Sequence, residues 1–286
     1  MLLLGCHASI AGGYHRAIER GSELGCTALQ IFTRNQLQWK SKPVEKRDIE
    51  LFIEARERHQ ELRIVFAHGS YLLNLATQDR ELRKNSLIIL KEELQRCSLF
   101  SLPYLIIHPG SHGGAGEREG VENVIRCLTE LSETVKKGTI ICIETTSGQG
   151  TGIGCCFEHL RDIVRSFPGG NIGVCIDTCH IFAAGYDLRN RKTYEAMVEN
   201  FDRIVGLERL KVLHLNDSKG ELGSRIDRHE HVGKGRIGKN AFAYIMQDVR
   251  FKGVPKIIET PKTGKGDEMD NANLNLLRSL AGEEAL

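Results

Sequence analysis

The sequence predicts an α/β protein of the closed (β/α)8 kind, and three observations carry that expectation. Eight short apolar runs punctuate the chain, amphipathic helical segments lie between them, and the length of 286 residues is close to the roughly 250 that one such barrel takes. Alternation of strand and helix requires a parallel sheet, whose strands are covered on both faces and are therefore almost continuously hydrophobic. An open doubly wound sheet is the structural alternative, and eight repeats of the unit favour closure.

The runs, in order, are LLLGCH from residue 2, TALQIF from 27, RIVFAH from 63, YLIIH from 104, TIICIE from 139, IGVCID from 172, LKVLHL from 210 and PKIIET from 255. Between the fifth and sixth, Phe157, Leu160, Ile163, Val164 and Phe167 fall on one face of a helix. Irregular sequence gathers after the strands, at 33–44, 69–78, 109–120, 145–155 and 216–239. Two of these loops are glycine-rich, with Gly110, Gly113, Gly114 and Gly116 in one and Gly148, Gly150, Gly152 and Gly154 in the other. Such loops suit either ligand binding or tight turning. No Pro-rich linker or internal repeat divides the chain, so a single domain over residues 1–286 is expected.

With 41% hydrophobic and 27% charged residues, the composition excludes a disordered or membrane-embedded chain. No apolar stretch approaches the roughly 18 to 20 residues that span a bilayer, and MLLLGCHASIAGG reads as a first strand rather than a leader. The expectation is a cytoplasmic protein with no membrane partner, working as a monomer. Nine cysteines, an odd count with no CxxC spacing, read as reduced thiols. Cys155 and Cys156 lack partner cysteines at zinc-finger spacing, so no thiolate metal site is expected. A net charge of +2 says nothing about nucleic acid, and any basic surface must be local.

The last residue of each later strand gives His68, His108, Glu144, Asp177, His214 and Glu259, and His180, Asp227 and His229 follow just past strands six and seven. In a parallel barrel these ends converge on one mouth. A lone histidine on an apolar strand, such as His214, is ordinarily a hydrogen-bonded core residue. Nine ligand-type residues at corresponding positions need a different explanation, because several facing carboxylates repel one another unless cations are supplied. No Lys or Arg stands at these strand ends. Imidazole and carboxylate without thiolate suit Zn²⁺, with Mn²⁺ or Fe²⁺ as alternatives, and nine ligands suggest two or three ions. His7 reads as a hydrogen-bond partner of a ligand, and His112 and His231 as loop residues near the site. His15, His59 and His159 fall in helical segments and read as surface residues.

At these residues the sequence resembles the endonuclease IV family of apurinic/apyrimidinic endonucleases. The matching stretches include Asn35-Gln36 with Trp39, His68 with Ser70-Tyr71-Leu72, His108-Pro109-Gly110-Ser111-His112, Asp177-Thr178-Cys179-His180, His214-Leu215-Asn216-Asp217, Asp227-Arg228-His229 and Glu259-Thr260. They span nearly the whole chain. The resemblance implies a TIM barrel with DNA-binding loops at the C-terminal face of its strands and three zinc ions. His68, His108 and Glu144 would hold the first ion. Glu144 would bridge to a second, held also by Asp177, His214 and Glu259, and His180, Asp227 and His229 would hold the third.

The implied reaction is hydrolysis of the phosphodiester 5′ to an abasic site in double-stranded DNA, leaving a 3′-hydroxyl and a 5′-deoxyribose phosphate, together with cleaning of blocked 3′ ends. Glu144 and Glu259 are then the catalytic carboxylates that position the attacking water, with Glu259 also a candidate acceptor of its proton. Tyr71 and Leu72 resemble the family's minor-groove wedge; ordinary loop packing is the plainer account of them. Asn35, Gln36, Leu37 and Arg228 complete the implied DNA contacts. Two loops carry excess positive charge suited to phosphates: Arg34, Lys40, Lys42, Lys46 and Arg47 against Glu45, and Lys219, Arg225, Arg228, Lys234, Arg236 and Lys239 against Glu221, Asp227 and Glu230. Leu37 stands where family members often carry a basic residue, and Gly69 where they often carry an acidic one.

Two rivals compete with this reading. A divalent-metal sugar isomerase or epimerase on the same barrel usually needs fewer ligands. A nucleotide-binding protein is suggested by Gly233-Lys-Gly-Arg-Ile-Gly-Lys-Asn240, which matches a P-loop except that Asn240 replaces the Mg²⁺-binding hydroxyl residue and no strand directly precedes it. No nucleotide cofactor is therefore expected.

Overall fold

Each apolar run of the sequence folds as a strand because both of its faces find cover. In the computed structural model, which describes residues 1–131, 138–262 and 266–282, the strands are β1 (Leu4–Ala8), β2 (Ala28–Phe32), β3 (Ile64–His68), β4 (Tyr104–Ile107), β5 (Ile140–Glu144), β6 (Ile172–Asp177) and β7 (Leu210–His214), then β8 (Asp217–Ser218), β9 (His229–Glu230) and β10 (Lys256–Ile258). Eight of them close into a parallel barrel in the order β1-β10-β7-β6-β5-β4-β3-β2. The other two, β8 and β9, form an antiparallel ladder within the loop after β7, an addition to the eight strands expected.

The crossovers are α1 (Tyr14–Glu23), α2 (Lys46–Arg58), α3 (Arg80–Leu99), α4 (Glu117–Glu130), α5 (Phe157–Arg165), α6 (Thr178–Ala184) and α7 (Arg191–Ile204), with α8 (Lys239–Gln247) before β10 and α9 (Gly266–Ala281) after it. Side-chain caps set some of their starts. Glu45 and Asp48 form a reciprocal capping box on α2, and Asp79 accepts from the N–H groups of Glu81 and Leu82 at the start of α3. On α5 the expected face is buried from Phe157 to Val164, whereas Phe167 lies beyond the helix end. His159 is also buried, contrary to the surface position expected of it. Among the described residues no helix is long and apolar enough to cross a membrane.

The period-2 alternation of the strands positions the site. Ala28, Phe66, Ile106, Cys142, Cys175, Val212 and Ile257 form one buried cluster inside the barrel. Their strand neighbours, such as Leu29, Val65, Leu105, Ile143, Val174, Leu213 and Ile258, belong to the larger cluster under the helices. Two residues beyond each inward apolar residue, and so on the same face, come Gln30, His68, His108, Glu144, Asp177, His214 and Glu259. His108 and Glu259 sit one residue past the last residues of β4 and β10 rather than within them. A register shift between Val174 and Cys175 lets Cys175 pair with Val212 and Asp177 with His214, keeping both layers aligned across β6 and β7. The polar layer thus rests on an apolar plug.

Candidate metal centre

The nine candidate ligands gather at the C-terminal mouth of the barrel as three groups, two of which share Glu144. They are His68, His108 and Glu144; Glu144, Asp177, His214 and Glu259; and His180, Asp227 and His229, with the donor atoms of each group within 4.8 Å of one another. His68 Nε2 and His108 Nε2 each lie 3.1 Å from Glu144 Oε2. His214 Nδ1 lies 2.9 Å from Glu144 Oε1 and 3.3 Å from Glu259 Oε2, and His180 Nε2 lies 3.1 Å from Asp227 Oδ1. Donors bound at 2.0–2.1 Å to one tetrahedral ion are separated by about 3.3 Å. The spacing fits.

The ring nitrogens pointing away from the mouth fix which nitrogen is left for a cation. His68 Nδ1 donates to the Gly69 carbonyl at 2.8 Å, His180 Nδ1 to the Thr145 carbonyl at 2.8 Å, and His229 Nδ1 to the Glu259 carbonyl at 3.1 Å. His214 Nε2 donates to Gln30 Oε1 at 2.8 Å. In each case the neutral ring would turn the lone pair of its opposite nitrogen into the mouth, the arrangement found behind metal-bound histidine. His180 Nε2 and His229 Nε2 face each other at 3.5 Å. With both Nδ1 protons committed to carbonyls, two neutral rings would oppose their Nε2 lone pairs, and, against its burial, the nearby Asp177, Asp227 and Glu144 carboxylates hold His180 well above the usual imidazole range. Either one proton or one metal ion between the two nitrogens relieves the opposition.

The charges answer the same geometry. Burial would push the Glu144 carboxyl up, but His214, His108 and His180 hold it well below the usual carboxylate range. Glu259 behaves likewise, burial being outweighed by His214, His7 and His68. Asp227 is brought down to about 2 against its burial, chiefly by His180. Burial lowers His214, yet Glu259 and Glu144 raise it to about 9. Glu144, Glu259 and Asp227 are thus held ionised, and His214 attracts a proton that a metal would displace. Cys175 and Cys179 come close enough to join these groups, but burial pushes both thiols up, Cys179 to about 12, so they are poor ligands beside imidazole and carboxylate.

Local sequence explains the placement. Asp177 ends β6 and caps α6 by accepting from the His180 N–H at 2.9 Å, which turns His180 upward one helical turn later. Asn216 links two strands: its Nδ2 donates to Asp177 Oδ2 at 2.6 Å and its Oδ1 accepts from the Glu259 N–H at 2.7 Å. Gln30 donates to Glu259 Oε1 at 2.6 Å as well as accepting from His214, and His7 Nδ1 lies 3.3 Å from the same Glu259 oxygen. Gln30 and Asn216 are the positioning residues that a search for titratable groups missed. The signal for Gln30 was a buried amide in the middle of the run ALQIF.

The P-loop-like run has an internal occupant. The N–H groups of Gly235, Ile237 and Gly238 converge on the Asp217 carboxylate at 3.0, 2.9 and 3.3 Å. The nest that would cradle a phosphate therefore holds a side chain of its own chain.

Loops from several strands build the rim. Leu37 is 68% exposed, Tyr71 60% and Trp39 44%, a raised apolar crest next to the charged mouth. Leu72 is half-buried and packs against the core. Asn35 is exposed and caps its own turn by accepting from the Leu37 N–H, while the Gln36 carbonyl accepts from Ser70 Oγ, tying the two crest loops together. Arg228 is exposed. Arg34, counted among the phosphate-binding candidates, is instead 2% exposed: its guanidinium donates to Glu92 and to the carbonyls of Gln38 and Trp39. It braces the loop from within. Gly69 has no room for a side chain, since a Cβ there would lie 2.8 Å from Ile107 and 3.2 Å from the buried Glu93 carboxylate. Two cavities meet at Tyr71, His108 and Asp227. One, of about 370 Å³, is lined by His68, His180, His229 and Glu259, and its neighbour of about 470 Å³ runs along Trp39, Asn74, Ser111 and Gln149.

Residues 18–280 match the family described as the xylose isomerase-like TIM barrel. A protein of Geotalea daltonii named "Probable endonuclease 4" is 49% identical over 279 residues, covering 97% of each chain. The crystal structure of endonuclease IV from Thermus thermophilus superposes with a TM-score of 0.85 at 34% identity, covering 98% of each chain. A D-tagatose 3-epimerase-like protein superposes with a TM-score of 0.74 at 19% identity over 97% of this chain and 98% of its own, a likeness of fold alone. On identity maintained over almost the entire length, the chain belongs to the endonuclease IV family of apurinic/apyrimidinic endonucleases.

Proposed function

We propose that this chain, as one domain over residues 1–286, is a DNA-cleaving metallohydrolase that cuts the phosphodiester 5′ to an abasic site in duplex DNA and also trims blocked 3′ ends. The observation that carries the metal dependence is the convergence of nine imidazole and carboxylate side chains in three groups, each with its donor atoms within 4.8 Å of one another. Zinc suits the nine nitrogen and oxygen donors, and their three groups suit three ions. Bound there, zinc supplies Lewis acidity for the phosphate and lowers the pKa of water from 15.7 to roughly 7.

The side chains divide the remaining work. Glu144, whose two oxygens face different groups, spans the first and second sets. Gln30 and His7 occupy Glu259 Oε1 and leave Oε2 toward the mouth, where an ionised carboxylate can hold the attacking water and take its proton. Asp227 and His229, with His180, stand where the leaving O3′ gains charge, an interaction that strengthens only in the transition state. Tyr71 and Leu37 on the crest suit wedging into a duplex at a missing base, and Arg228 suits a phosphate. A sugar epimerase would have no use for that crest or for a third donor group.

The test pairs elemental analysis of the purified protein with nicking of a duplex bearing a single abasic site. About three zinc equivalents per chain and a cut on the 5′ side are expected. Protein free of transition metal under non-chelating purification, or equal cutting of intact duplex, would overturn the proposal.

A further inference from the structure

We propose that Cys155 and Cys156 are a peroxide-reactive dithiol that closes into a vicinal disulfide, a modification site separate from the nuclease reading. Of the nine cysteines these are the two that are not buried. Both line a pocket of about 300 Å³ together with Glu117, Ser147, Tyr186 and Arg225, a size that admits a small hydroperoxide. The pair stands at the start of α5, where Cys156 is the capping residue and Cys155 precedes it.

The two sulfurs are unequal. The neighbouring Cys156 thiol brings Cys155 down to about 7, with Arg225 helping against burial and Glu117, while Cys156 is pushed up to about 12 by Cys155 and by burial. One member is thus an attacking thiolate near neutral pH and the other a protonated resolving thiol. The remaining cysteines are shut away from solvent, including Cys26, which neighbouring Cys6 also lowers. Reactivity follows thiolate character and access together.

In the first step the Cys155 thiolate attacks the terminal oxygen of the hydroperoxide, the O–O bond breaks, and the departing alkoxide or hydroxide takes a proton from water. Cys156 then attacks the sulfenic sulfur, the S–O bond breaks, and the hydroxide leaves as water with the Cys156 proton. Two thiols and one hydroperoxide give a disulfide, an alcohol or water, and water.

The experiment treats the reduced, metal-replete protein with limiting hydrogen peroxide, alkylates the remaining thiols in denaturant, and maps all nine by mass spectrometry. Loss of two hydrogens confined to the peptide holding Cys155 and Cys156, reversed by dithiothreitol, is expected. Cys156→Ser should stop at a sulfenic acid on Cys155 that a dimedone probe traps, and Cys155→Ser should slow thiol loss roughly tenfold. Oxidation elsewhere first, or an unchanged rate in Cys155→Ser, would overturn the proposal. The readout is chemical, so the outcome is independent of whether the protein cuts DNA.

Discussion

Gln30 Oε1 lies 2.8 Å from His214 Nε2, and the same amide reaches Glu259 Oε1 through its nitrogen at 2.6 Å. One uncharged side chain therefore fixes the tautomer of one candidate ligand and the rotamer of another. Replacing it by Leu keeps the volume and removes both bonds. Gln30→Leu is expected to weaken metal retention by about 10- to 100-fold, read by competition with a chelating dye. Unchanged affinity would mean that the amide only fills space.

Glu259→Gln and Asp227→Ala should each abolish nicking of an abasic duplex. They are expected to differ in metal content: Asp227→Ala removes one of three donors from its group and should lose about one equivalent, as counted by elemental analysis. In the intact enzyme, cleavage should persist for a time in EDTA, because ions held by buried donors exchange slowly. Full nicking activity in either variant counts against the assignment.

Tyr71 stands on the rim, 60% exposed, packed edge-on against Phe32 with the ring centroids 5.5 Å apart. Tyr71→Ala should leave metal content untouched and weaken binding to an abasic duplex by about 1–3 kcal/mol, the range for a base–aromatic stack. Fluorescence anisotropy at fixed salt checks it. Equal affinity would assign the crest to packing alone.

Arg34 and Lys40 belong to the same basic loop but should respond differently. Arg34→Ala removes the buried donor to the Gln38 and Trp39 carbonyls and should cost about 2 kcal/mol of stability, lowering Tm by several degrees, with the salt dependence of DNA binding unchanged. Lys40→Ala should leave Tm alone and reduce the salt slope by about one. The reverse pattern would put Arg34 on the DNA.

Glu93, wholly buried in α3, accepts from the Ser70 N–H at 2.9 Å, and its Oε2 has no partner. Burial raises it from 4.5 to about 7 despite that N–H and Arg34. Between those two values the folded chain keeps a proton that the unfolded chain has lost, so stability falls as pH rises and the loss is complete above about 7. Glu93→Gln keeps the acceptor and avoids the buried charge. It should be more stable than the parent at pH 8 by up to about 3 kcal/mol, with the advantage gone near pH 4.5, as followed by urea unfolding. A pH-independent difference would place the effect elsewhere.

The barrel was legible because parallel strands covered on both faces announce themselves as apolar runs, and the gathering of most of the candidate ligands because they continue the inward face by one period of two. What escaped notice had no such signature. Gln30 carries no charge, so a search for titratable groups passed over it. Arg34 looked like a phosphate contact because a loop charge is ordinarily solvated, and its burial depends on Glu92, 58 residues away. His159 was expected on the surface, but its Nδ1 accepts from the Gly154 N–H inside the fold. In each case the deciding partner is distant in sequence or lies in the backbone, where side-chain periodicity carries no information.

The layer formed by Phe66, Ile106, Cys142, Cys175, Val212 and Ile257 closes the barrel beneath the polar mouth. Whatever reaches the donor groups must arrive from above, by the route a nucleic acid would also use. Substrate and scavenging chelator are thus rivals for a single doorway, and an enzyme engaged on a long duplex should give up its ions more slowly than one at rest.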